Sequence, residues 1–379
     1  MNARRTAMRI AAVATAFAFL VIVFGAFVRL SNAGLSCPDW PTCYGKASWP
    51  GHEHEIASAN EAFPERPFED HKAWREQVHR MLAGVLGGLV LALALAAAWR
   101  NRAQLATLLA AAVAAALGVA LYMRGETTVS SLLSLVAIAL PLLVAWRLER
   151  GGAWRAAIAV FAVVIFQAML GMWTVTLLLK PVVVMGHLLG GLLTFSLLAW
   201  VALRLAQRPP PAPLQLRLKP LVVLALVVLA LQIALGGWTS ANYAALACGL
   251  DFPKCAGSWW PATDFGEGFV LWRGIGVNYE GGVLDASARA AIQLAHRIGA
   301  LVAFAVIATA AVQAWRRGLR ALAAATGALL CIQVALGILN VKLMLPLPLA
   351  TAHNGVAALL LLALLALLAR VVGGKQAKD

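Results

Sequence analysis

The sequence predicts an all-α polytopic membrane protein of about ten transmembrane helices, built as two homologous halves with both termini inside. Three observations carry this expectation. Of 379 residues, 62% are hydrophobic and 12% charged, with a mean hydropathy of +0.82, a balance that water-soluble domains do not show. Apolar stretches of about 18 residues or more recur along the whole chain, each long enough to cross a bilayer core. Finally, one set of motifs occurs twice in the same order.

The spans read from hydropathy are 10–30, 80–99, 104–123, 128–146, 154–177, 183–203, 219–238, 290–314, 321–343 and 349–369. The first follows Arg4 and Arg5 and so imitates a secretory signal. It reads as a retained helix because its motif has a partner later in the chain. Basic residues cluster on alternate connections: Arg4, Arg5 and Arg9; Arg100 and Arg102; Arg147, Arg150 and Arg155; Arg204, Arg208, Arg217 and Lys219; Arg316, Arg317 and Arg320; Arg370, Lys375 and Lys378. The positive-inside rule makes these ends cytoplasmic. Fourteen of the sixteen acids fall on the other side, Glu149 and Asp379 being the exceptions. The long loops 31–78 and 239–289 are therefore expected outside. Mapped this way, the net charge of +15 is a topology signal, and nucleic-acid binding has no support.

The duplication begins with "GAFVRLSNAGLSCPDWPTC" (25–43) and "GGWTSANYAALACGLDFPKC" (236–255). Each runs from a Gly to a Cys twelve residues on, then to Asp, Pro and a second Cys. Next come "EQVHR" and "QLAHR", holding His79 and His296. Then Gln167 and His187 match Gln333 and His353 at identical spacing, and "Q-x-x-L-G" appears a third time at Gln232–Gly236. The N-terminal half is taken as 1–204, the Pro-rich basic linker as 205–218 and the C-terminal half as 219–379. His79 and His187 are 108 residues apart, His296 and His353 only 57. The surplus maps to about 104–148, an inserted helical hairpin that leaves and returns on one side and is given no catalytic role.

His79, His187, His296 and His353 each lie on a span running inward from the outer face, His79 opening its span. They are expected at similar depth. Ionisable groups inside a membrane are costly and mark function. Imidazole pairs on facing helices hold heme iron, and Gly186, Gly190, Gly191 and Gly355 leave room for a flat macrocycle. Two sites follow, His79 with His187 and His296 with His353, with pairing across the halves left open. Arg80 and Arg297 are candidates for neutralising propionates, or for snorkelling to the interface. Zinc fits less well, because acid and thiol partners are missing from three of the four positions.

Outer cysteines with five or six residues between them suggest two intraloop disulfides, Cys37–Cys43 and Cys248–Cys255, as loop staples or as redox groups. Cys331, alone within a span, reads as packing. "HEHE" (52–55) and His71 read as solvated loop residues rather than metal ligands, and Trp259 and Trp260 as interface anchors.

The motif "GAFVRLSNAGLSCPDWPTC", the E-x-x-H-R signature, the outer Cys pairs, the four histidines and the two-half plan resemble heme A synthase over nearly the whole chain outside 104–148. The resemblance implies two four-helix bundles in a pseudo-twofold arrangement, in a bacterial inner membrane with the histidines near the periplasmic face. It implies oxidation of the C8 methyl of heme O to a formyl group by successive hydroxylations, making heme A for terminal oxidases. It assigns His296 and His353 to a resident heme b, His79 and His187 to the substrate heme, and an essential role to Glu76. Heme O synthase, terminal oxidase assembly proteins, membrane lipid, an electron donor the sequence does not name and a second copy of the chain are the partners it suggests. The residues support the same division, since Gln293 stands where Glu76 stands in the first copy and only the acid can titrate. The alternatives are a di-heme b-type electron-transfer protein and a non-catalytic heme carrier or assembly factor.

Overall fold

The computed structural model describes residues 3–149, 151–206 and 213–372. The basic residues Arg150, Arg208, Lys375 and Lys378, together with Asp379 and linker residues 207–212, lie outside the described residues. In chain order the helices are α1 (Ala3–Leu30), α2 (Glu53–Ala62), α3 (Asp70–Ala98), α4 (Arg102–Tyr122), α5 (Thr127–Arg147), α6 (Gly152–Thr176) and α7 (Pro181–Leu205). They continue as α8 (Pro213–Leu216), α9 (Lys219–Ala241), α10 (Phe265–Gly268), α11 (Ala286–Arg316), α12 (Arg320–Lys342) and α13 (Leu347–Val371). Ten of these are long and apolar enough to cross a membrane, and they coincide with the ten expected spans.

Several helices outrun the expected spans, most of all α3 and α11 at their starts. Hydropathy marks only the apolar stretch, whereas a helix runs on into polar residues as long as its backbone bonds continue. Thus α3 begins at Asp70 rather than near residue 80, and α11 at Ala286, where the Asp285 carboxylate accepts the Ala288 amide at 2.8 Å. His79 consequently does not open its helix. It lies nine residues into α3, and His296 ten residues into α11. His187 and His353 each lie six residues beyond the first residue of their helices, α7 and α13.

The described residues form two compact units, one within 3–176 and 190–206 and one within 177–189 and 213–372. In the first, α3 packs on α1 and on α6. The stretch of α7 from Gly190 onward reaches α1 through Phe19 and Phe195, whose ring centroids are 6.4 Å apart, and α6 through Gln167. Close approach of α1 rests on a stripe of small residues, Ala7, Ala11, Ala14 and Ala18, at most 1% exposed. The insert is a helical hairpin: α4 packs on α5, α5 on α6 and α4 on α3. Its outward residues Leu109, Leu132 and Leu135 are exposed, as lipid-facing positions are. It also touches the first long loop: Tyr122 at the end of α4 meets Trp40 edge-on, at 5.9 Å.

In the second unit α9 packs on α11 and α13, and α12 packs on the same two helices, closing a ring in which α11 and α13 stand opposite. The turns entering α7 and α13 are copies of one another. Leu178 and Leu179 have φ of 51° and 58°, and their counterparts Met344 and Leu345 have 60° and 57°.

Candidate functional site

The His79, His296 and His353 rings sit where a preceding helix has no side chain. A methyl group on Gly25 of α1 would lie 2.7 Å from His79 Cε1, and one on Gly236 of α9 would lie 3.2 Å from His296 Cε1. The first conflict is too close for any real contact, so the glycine is required for the ring to lie there. In two copies of the Q-x-x-L-G motif, Gln232–Gly236 and Gln333–Gly337, the glycine makes this room for a histidine ring. The motif's Gln and Gly are four residues apart, on one helix face. In the C-terminal half Gln232 Nε2 contacts His296 Nδ1 at 3.0 Å and donates to the His296 carbonyl at 3.0 Å. Gln333 Nε2 approaches His353 Nε2 at 3.4 Å. In α1 the position four before Gly25 is Val21, so the His79 copy differs from these two. The His79 ring instead stacks on Phe24, 27° between planes and 6.5 Å between centroids. These glutamines were visible in the sequence as repeats, but their role as imidazole partners was not read from it.

Glu76 is buried, at 5% exposure. Its Oε2 lies 2.9 Å from the Cys37 amide, which donates to it, and 3.0 Å from Ser36 Oγ, while its Oε1 meets the Arg80 guanidinium at 2.6 Å. Arg80 reaches upward as well, donating to the carbonyls of Asp39 at 2.8 Å and Thr42 at 2.5 Å. Arg297 does the same in the other copy, donating to Lys254 O at 2.8 Å and Asp251 O at 3.0 Å. Both arginines, weighed above as propionate partners, thus hold the carbonyls of a disulfide loop. Ser36 was not singled out from the sequence, and nothing in its residue type sets it apart.

Those two loops share their construction. Cys37–Cys43 and Cys248–Cys255 are bonded, with all four cysteines at most 1% exposed. After each second cysteine come two residues of positive φ, Tyr44 and Gly45 or Ala256 and Gly257. Asp39 accepts the amides of Tyr44 and Gly45 at 2.6 and 2.8 Å and the Thr42 hydroxyl; Asp251 accepts that of Gly257 at 2.6 Å. The repeated Asp is therefore a turn-capping residue.

The remaining sequence candidates fall outside this arrangement. "HEHE" begins α2, with Glu55 accepting the Gly51 and His52 amides at 2.8 and 3.3 Å and pairing with Lys46 at 2.5 Å. The two backbone bonds and the lysine hold the Glu55 carboxyl down to about 2. No group of three or more His, Cys, Asp or Glu side chains that could hold a metal ion occurs among the described residues. His71, Trp259 and Trp260 are exposed. Cys331 is exposed too, not packed inside the protein. Two residues before Gln333, it falls about 200° round the helix from that inward side chain. Gly190 leaves its space to Gln167, whose oxygen would be 2.1 Å from an added methyl.

Comparison with known proteins agrees with this architecture. The family model for the cytochrome oxidase assembly protein COX15-CtaA matches residues 8–135 and 128–365. A heme A synthase of Shewanella oneidensis is 40% identical over 92% of this chain and 91% of its own length. A heme A synthase of Rhizorhabdus wittichii is 27% identical over 92% of this chain and 88% of its own. One of Rhodospirillum centenum is 33% identical over 45% of this chain. By the family match and the Shewanella relative together, the chain belongs to the COX15-CtaA family of cytochrome oxidase assembly proteins.

Proposed function

We propose that the chain is a heme A synthase, an oxidoreductase that converts the C8 methyl of heme O to a formyl group by successive hydroxylations and loss of water. The observation that carries the reading is an asymmetry between two otherwise matching copies. Each has a glycine-backed imidazole and an arginine-held disulfide loop, but only the N-terminal copy adds a buried carboxylate, Glu76, at the position of Gln293. Two equivalent electron-transfer sites would have no use for that difference.

In this reading the C-terminal half keeps a resident heme b between His296 and His353. The donor set suits it: two imidazoles on opposite helices of the α9–α11–α12–α13 ring, with His353 Nδ1 buried and lacking a hydrogen-bond partner. When bound, that heme supplies a one-electron relay. Gln232 and Gln333 fix the planes of the two rings, and Gly236 lets the His296 ring lie against α9.

The N-terminal half takes heme O, with His79 and His187 as its imidazoles. Gly25 and Phe24 set the plane of His79. Glu76 fixes the loop above the site through the Cys37 amide and Arg80, and exchanges protons through the Ser36 hydroxyl at 3.0 Å. The four imidazoles lie toward the periplasmic face of a bacterial inner membrane, with both termini in the cytoplasm. The two halves, 1–204 and 219–379, each follow the same bundle plan. A heme O synthase supplies the substrate and terminal oxidase assembly consumes the product.

Pigments extracted from membranes of a heme-A-deficient host tests the reading. With the chain present, heme A appears; heme O or B unchanged by its presence contradicts it.

A further inference from the structure

Lys180 is the largest charged group shut inside the described structure, at 1% exposure. Its ammonium lies 3.5 Å from the ring centroid of Trp272, in the second outer loop. Trp272 itself is 67% exposed, so it roofs the lysine from the water side. That loop is tied to the turn, the Tyr279 amide donating to the Leu178 carbonyl at 3.0 Å. Nζ has no hydrogen-bond partner. A ring face recovers part of the cost of burying an ammonium, but three donors remain unused and the charge uncompensated.

The internal repeat shows what is special here. The two turns have the same left-handed pair, Leu178–Leu179 and Met344–Leu345, and the next residue is Lys180 in one and Pro346 in the other. The fold of the turn therefore does not require a lysine. The lysine is present only beside the histidine assigned to the substrate. It stands immediately before α7, seven residues ahead of His187 and so about 10 Å from it along the helix axis. That span matches the reach from the centre of a porphyrin to the carboxylates at its edge.

We propose that Lys180 anchors the substrate, its ammonium donating hydrogen bonds to a propionate carboxylate of the porphyrin. The assignment rests on the reading of the chain as acting on heme O. Trp272 confines the ammonium and excludes water, which strengthens the ion pair once the carboxylate arrives. The C-terminal copy, whose heme is never released, has proline there.

The test pairs Lys180→Met with the dimethyl ester of heme O, whose propionates carry no charge. Binding to detergent-purified protein is followed by absorbance titration, and turnover by chromatography. For heme O, Lys180→Met should raise Kd and KM about 10- to 100-fold, the worth of a charge-assisted hydrogen bond, with kcat within about twofold. For the diester, wild type and variant should differ by less than about twofold, and Lys180→Arg should restore most of the affinity for the diacid. An unchanged spectrum of the C-terminal heme verifies folding. Equal losses on diacid and diester would make Lys180 a structural tether to Trp272 and overturn the proposal. So would no loss on heme O, or a loss seen only with anionic phospholipid present, which would assign the lysine to a lipid headgroup. Wild-type protein that neither binds nor converts heme O would remove the function itself and this assignment with it.

Discussion

Glu76 and Arg80, one turn apart on α3, meet at 2.6 Å, and the other oxygen of the same carboxylate accepts the Cys37 amide at 2.9 Å. The corresponding pair in the second copy is Gln293 and Arg297, and there the arginine holds its loop carbonyls without an acid. The ion pair is thus an addition to a scaffold that stands without it.

Glu76→Gln should therefore fold. Removing one member of a buried pair costs about 3–5 kcal/mol, and the carbonyls of Asp39 and Thr42, which remain on Arg80, place this substitution at the low end of that range. The C-terminal heme should stay bound, while conversion of heme O falls about 100-fold or more, the scale of a lost acid–base group. Chromatography of the heme products beside a spectrum of the bound heme separates the two effects. Normal heme A output would remove the acid–base role; loss of all bound heme would make Glu76 purely structural.

Gly25→Ala and Gly236→Ala should damage different halves. The added methyl would press on His79 Cε1 at 2.7 Å and on His296 Cε1 at 3.2 Å. Overpacking of this kind costs about 1–3 kcal/mol. The first variant should lose turnover with the resident-heme spectrum intact, the second should shift or weaken that spectrum. Identical spectra in both would contradict the assignment of the two sites.

Much of this was legible in the sequence because membrane helices and internal repeats write themselves as residue types. Ten apolar runs correspond to ten helices long enough to span a membrane, the duplicated cysteines form the two disulfides, and the duplicated Asp caps each loop turn. What stayed illegible were contacts to backbone. Arg80 and Arg297 bind carbonyls, which every residue has, so no spacing announces them. Hydropathy also stops short of the polar first turns of α3, which is why it places His79 at a helix start. Tyr122 touching Trp40 needed a loop conformation that no pattern encodes.

The first long loop, between α1 and α3, should loosen in acid. Glu55 is held down to about 2 by the Gly51 amide and Lys46. A depressed carboxyl contributes stability that is present above its ordinary value, 4.5, and is lost as pH falls through about 2. Pepsin cleavage within 44–62 should therefore rise between those values, and Glu55→Gln should be cleaved already at pH 4. A wild-type cleavage rate that stays flat across the window would contradict this.

Deleting 104–148 removes a helix pair and should leave the orientation of every other helix unchanged. A reporter at the C-terminus should stay on the cytoplasmic side, while the loop around Trp40, deprived of Tyr122, becomes more susceptible to protease. A reporter on the outer face would refute the helix count.

The most direct test of the whole account uses the purified protein with its resident heme in place. Heme O, oxygen and a reductant are supplied, and the extracted hemes are separated by chromatography. The account predicts that heme O is replaced by heme A, through a hydroxylated intermediate, while one heme b per chain remains. Heme O recovered unchanged, while the bound heme cycles between oxidised and reduced, would contradict it and leave an electron-transfer protein.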